Sequence, residues 1–129
     1  MALKNDNDVS NAPKIVIDRK NSRIRIHRNT LRLLGDPEYI QLLVNPGRHA
    51  LAILPSQKLK TAHAVRWDRI AENQCCELYS KILVCQLGSI CPGWKQDGKY
   101  RLYGVCVWNW PLVQFDLSSA REMRKEVTV

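Results

Sequence analysis

The sequence predicts an α+β fold: a β-β-α-β-β first half, followed by a second half of strand, helix and hairpin. Three observations predict it. In residues 22–35, Arg23, Arg25 and His27 alternate with Ile24 and Ile26, the period-2 pattern of a half-buried strand. The same stretch then changes period, and Thr30, Leu31, Arg32, Leu33 and Leu34 run into Gly35 as a short helix with a glycine stop. Further on, Leu78, Ile82, Cys85 and the pair Leu83/Leu87 recur at spacings of three and four, which predicts a helix over 76–90.

The remaining elements follow in order. Residues 1–12 are polar and expected to be a disordered tail. Ile15, Val16 and Ile17 form a first strand, residues 18–22 a turn, and 23–27 the second strand of a hairpin. Asn29 or Thr30 is placed to cap the short helix, because its side-chain oxygen accepts from the free N–H groups of the first turn. Asp36 and Pro37 complete the stop after Gly35. Residues 39–44 and 50–54 are apolar strands around Asn45-Pro46-Gly47-Arg48, a tight turn. Residues 55–62 read as a connector and 64–67 as a short strand. Pro92 and Gly93 stop the long helix. Residues 100–107 and 112–117 are strands, and in the latter Val113, Phe115 and Leu117 share one face while Gln114 and Asp116 share the other. The expected units are therefore 13–55 and 63–117, with 118–129 a C-terminal tail or frayed helix. Both halves run strand, helix, hairpin, so the second half has the order of a degenerate repeat of the first.

Charge is unevenly placed. The 129-residue chain carries a net charge of +8. Residues 13–66 hold eleven Lys/Arg against three acids, whereas 67–129 hold eight against seven. A basic half beside a neutral half is the footprint of a polyanion-binding surface. The N-terminus lacks the apolar core of a secretory signal, and no apolar run approaches a membrane span, so a cytoplasmic protein without membrane contact is expected. Five cysteines (75, 76, 85, 91 and 106) contain no C-x-x-C pair, and the three histidines have no matching spacing. Reduced thiols, no metal and no cofactor are expected.

Residues 15–54 resemble the AbrB/MazE/MraZ family of swapped-hairpin regulators and antitoxins. Ser22-Arg23-Ile24-Arg25-Ile26-His27 stands at that family's Gly-Arg-x-x-Ile-Pro, Leu31-Arg32-Leu33-Leu34-Gly35 at its helix and stop, and residues 39–44 and 51–54 at its closing ribbon. The turn glycine is replaced by Ser22 and the strand-ending proline by His27. The resemblance implies interlocked hairpins with Ile24, Ile26, Leu42 and Val44 buried against a second copy or a second half. It also implies a homodimer on double-stranded DNA, with Arg23 and Arg32 as contacts.

The residues give their own candidates beside it. Arg23 and Arg25 share a strand face as phosphate clamps. Arg28 and Arg32, four apart, share a helix face on which two unpaired cations repel unless an anion is near. Trp108 and Trp110 flank a turn and are candidate partner contacts. No nucleophile–base spacing, phosphate loop or metal cluster is present, so no enzymatic activity is expected. The expected function is that of a small DNA-binding transcriptional regulator or antitoxin-like factor. The alternative is a non-catalytic module that binds an acidic protein partner.

Overall fold

The computed structural model of the chain describes residues 12–107 and 109–123, with side chains except those of 71–73. Residues 1–11 of the expected N-terminal tail, residues 124–129 of the C-terminal tail, and Trp108 lie outside the described residues.

The expected α+β arrangement is not the one that forms. Strand outweighs helix, 42% against 24%, and the strands make one mostly antiparallel, nearly closed, barrel-like sheet. The strands are β1 (Lys14–Asp18), β2 (Arg23–His27), β3 (Tyr39–Asn45), β4 (Ala50–Ser56), β5 (His63–Ala64), β6 (Cys75–Tyr79), β7 (Lys99–Cys106), β8 (Val113–Asp116) and β9 (Arg121–Glu122). The helices are α1 (Arg28–Leu33), α2 (Trp67–Asn73) and α3 (Lys81–Ile90). Their order in the sheet is β5-β3-β4-β8-β7-β1-β2-β6, with β9 pairing to β7.

The elements β1-β2-α1-β3-β4 do occur in that order along the chain, but they make no swapped-hairpin unit. The β1–β2 hairpin has two free edges, and the second half fills both. β7 pairs with β1, placing Ile15 opposite Leu102, and β6 pairs with β2, placing Ile26 opposite Cys76. The β3–β4 hairpin lies on the far side of β7 and β8. β6, α3 and the β7–β8 hairpin likewise follow one another along the second half but make no separate repeat, because their strands are interleaved with those of the first. Ile24 and Ile26 are fully buried within this one chain, and Leu42 and Val44 pack partly buried against the same core. Each fully buried isoleucine is worth about 1.5–3 kcal/mol of hydrophobic stabilisation.

Two local readings change with the fold. The helix expected over 76–90 begins only at Lys81, where the Ser80 side chain accepts from the Leu83 N–H at 3.2 Å. Residues 75–79 are strand instead: Cys76 and Leu78 face in, and Cys75, Glu77 and Tyr79 face out. The buried stripe of α3 is accordingly Val84, Leu87, Gly88 and then Cys91, while Ile82 is 84% exposed. Residues 118–122 form not a frayed helix but the end of a 3-10 turn (Leu117–Ser119) and β9.

Closure depends on β7 and α2. β7 pairs with β1 through Lys99–Tyr103 and with β8 through Gly104–Cys106, so one strand serves both lobes of the sheet. At the opposite side, α2 runs from the end of β5 to the start of β6, between the two edge strands. Its Ile70 is buried, and Trp67 Nε1 donates to the Pro37 carbonyl at 2.9 Å.

Candidate functional site

Alternation along each strand fixes an outward set opposite the buried one. Pairing registers align those outward residues in three rows. One row holds Cys75, His27 and, across β1, Lys14 and Tyr103. The middle row runs Glu77, Arg25, Val16, Arg101, Arg121 over five strands. The third holds Tyr79, Arg23, Asp18 and Lys99. Among the described residues, six cations on this face (Lys14, Arg23, Arg25, Lys99, Arg101, Arg121) stand against two carboxylates, Asp18 and Glu77.

Both carboxylates are already engaged. Arg23 Nη2 donates to Asp18 Oδ2 at 2.9 Å and Nη1 to Glu77 Oε2 at 3.1 Å. Arg25 Nε donates to the same Glu77 oxygen at 2.9 Å. Asp18 also accepts from the Asn21 N–H at 3.2 Å and from Asn21 Nδ2 at 2.8 Å. Burial pushes the Asp18 carboxyl up. The two Asn21 bonds, Arg23 and the charge of Lys99 outweigh it and hold the pKa below the usual carboxylate value. Among the described residues, the ion pairs of this face are those of Arg23 and Arg25.

Arg23 is thus a structural tie: its side chain is 18% exposed and its partner Asp18 1%. Arg25 keeps 39% of its side chain exposed. Arg28 and Arg32 lie on α1, which caps the end of the sheet at Lys14. Thr30 and Leu31 are its buried side, and Thr30 Oγ1 accepts from the Lys14 N–H at 3.0 Å and donates to the Lys14 carbonyl at 3.2 Å. Arg32 is exposed and Arg28 half-buried. The helix is capped by neither Asn29 nor Thr30. His27 Nδ1 accepts from the Asn29 N–H at 3.3 Å, and burial together with the charge of Lys14 lowers the His27 pKa.

Sequence reasoning missed Lys14, Lys99, Arg101, Arg121, Tyr79 and Tyr103. The alternation of Tyr100 and Leu102 with Arg101 and Tyr103 carried a signal for two of them, whereas Arg121 sits on a two-residue strand with no local pattern. Arg101 and Arg121 lie directly opposite each other. Like charges so placed on adjacent strands destabilise a sheet. The Arg101 guanidinium carbon lies 5.6 Å from the centre of the Tyr103 ring, a cation–π contact. Its Nε–H is shielded from solvent without an acceptor among the described residues.

Trp110 is 68% exposed in the β7–β8 loop, away from these three rows. None of the five cysteines forms a disulfide. Among the described residues, no group of three or more His, Cys, Asp or Glu could hold a metal ion, and no helix is long and apolar enough to cross a membrane. No family model matches the chain, and neither a curated protein nor a solved structure matches it significantly.

Proposed function

We propose that this chain binds DNA through the outer face of β2, β1, β7 and β9, with its arginines and lysines on the phosphate backbone. The observation that carries the reading is the Arg101–Arg121 pair. Two guanidinium groups directly opposite each other repel, and a phosphate between them turns that repulsion into a double charge-assisted contact. Arg25 continues the same row two strands away, roughly 10 Å from Arg101. Lys14 and Lys99 flank the row, and Arg28 and Arg32 extend the positive charge beyond the Lys14 end.

The test is a salt series on a labelled DNA duplex followed by fluorescence anisotropy, comparing the unaltered chain with Arg121→Ser. Binding through phosphates weakens linearly in log–log form, with a slope near −0.9 per neutralised phosphate. Arg121→Ser is expected to flatten that slope by about one unit while leaving thermal stability unchanged or slightly raised, because a like-charge pair is removed. Absence of DNA binding at low salt, to the duplex and to its separated strands alike, or an Arg121→Ser protein with an unchanged slope, refutes the reading.

A further inference from the structure

Phosphate contacts account for the cations of this face but not for its exposed rings. Tyr79 at the β6 edge is 68% exposed and Tyr103 on β7 is 43% exposed, at opposite corners of the basic rows. They stand three strands and four residues apart, roughly 20 Å across the face. Each stands beside an arginine of the face: Tyr79 lies opposite Arg23 across the β2–β6 pair, and the Tyr103 ring lies beneath Arg101. Between them lie Lys14, Arg23, Arg25 and Arg101. In a duplex the bases are stacked on one another, so rings on a sheet surface would meet only sugar and phosphate. In a single strand each base has a free face, and an exposed tyrosine beside a cation is a platform for it. The helix that continues β2, α1, has only six residues and spans about 9 Å, so it offers little surface to a duplex groove.

We infer that the preferred ligand of this face is single-stranded DNA, with one base stacking on Tyr79, another on Tyr103, and the intervening phosphates on Arg25, Arg101 and Lys14. This rests on the DNA-binding reading above. The separation of the two rings fits within the roughly 4–16 nucleotides that an OB-fold sheet covers in other single-strand-binding proteins.

The experiment measures anisotropy of a labelled oligothymidylate of about 16 nucleotides and of a duplex of equal length, at one low salt concentration. The single strand is expected to bind at least tenfold more tightly. Tyr79→Ala and Tyr103→Ala are each expected to weaken it by about 5- to 100-fold, with duplex affinity unchanged within about twofold. Tyr79→Phe loses the hydroxyl on the side of Arg23 but keeps the ring, and is expected to retain single-strand affinity. It therefore separates stacking from positioning of Arg23, and it carries the test if Tyr79→Ala fails to fold by circular dichroism. Equal or tighter duplex binding, or single-strand binding indifferent to Tyr79→Ala and Tyr103→Ala, overturns this inference and leaves the DNA reading standing. Binding of neither form overturns both.

Discussion

Arg23→Ala tests whether the first arginine of the basic face is a brace or a ligand contact. Its removal leaves Asp18, whose side chain is 1% exposed, with the two Asn21 bonds and only the unbonded charge of Lys99 as counter-charge. Breaking a fully buried ion pair costs about 3–5 kcal/mol. Here the Asn21 bonds remain and Glu77 is partly solvated, so a loss of about 2–3 kcal/mol at pH 7 is expected. The pH dependence identifies the cause. The folded-state pKa of Asp18 is depressed, so its contribution is present above the unfolded value near 3.8 and is lost as pH falls through the folded value. A neutral Asp18 no longer needs Arg23, so the gap between the unaltered chain and Arg23→Ala should be widest at neutral pH and narrow below about pH 4. Urea unfolding followed by tryptophan fluorescence at several pH values measures both stabilities. A loss below about 0.5 kcal/mol at pH 7, or a gap equally wide at pH 3 and pH 7, refutes the account of Arg23 as the counter-charge of Asp18.

Two further outcomes follow from packing and burial. A Cβ on Gly104 would lie 2.7 Å from the Phe115 ring and 2.8 Å from the Gln114 carbonyl oxygen, where backbone cannot yield cheaply. Gly104→Ala should therefore cost about 1–3 kcal/mol in the same unfolding assay, and a neutral result would show that β7 and β8 can separate without loss. Cys85 and Cys106 are exposed, whereas Cys76 and Cys91 are buried, with desolvation pushing the Cys76 thiol up to about 11. A disulfide-exchange reagent at pH 8 should titrate Cys85 and Cys106 quickly and Cys76 only on unfolding. Rapid modification of Cys76 in the folded chain would contradict its placement.

The sequence carried the local patterns but not the long-range pairings. Val113, Phe115 and Leu117 alternate with polar residues, and all three are buried as that pattern requires. The hairpin turn at Asn45-Pro46-Gly47-Arg48 is equally plain, a 3-10 turn over Pro46–Arg48 with the Asn45 side chain accepting from the Arg48 N–H. Residues 76–79 read as helix in the sequence because Leu78 fits both the helical spacing with Ile82 and the strand alternation with Cys76. Only the empty edge of β2 decides between them, and that edge is a property of the assembled sheet. The same blindness hid the role of Arg23. Its second acid, Glu77, is 54 positions away, brought near by the pairing of β2 with β6. Arg25 shares that acid, which leaves Arg101 and Arg121, not Arg23, as the pair of the face without an ion-pair partner among the described residues. Both of those lie in the half whose charge is nearly balanced, so a count of charge along the sequence points away from them.

The place of β7 at the junction of both lobes bears on how this chain is made. During synthesis the β1–β2 and β3–β4 hairpins leave the ribosome long before Lys99–Cys106 exists to join them. Until β7 and then β8 follow, β1 and β4 present unpaired edges beside an isoleucine-rich face, the condition under which nascent chains pair with the wrong partner. The sheet closes only when its late strands arrive, so folding is governed by contacts between opposite ends of the sequence and is expected to be slow for a chain of this length. A chain stopped short of β7 would keep both hairpins and lose the strand that makes them one body.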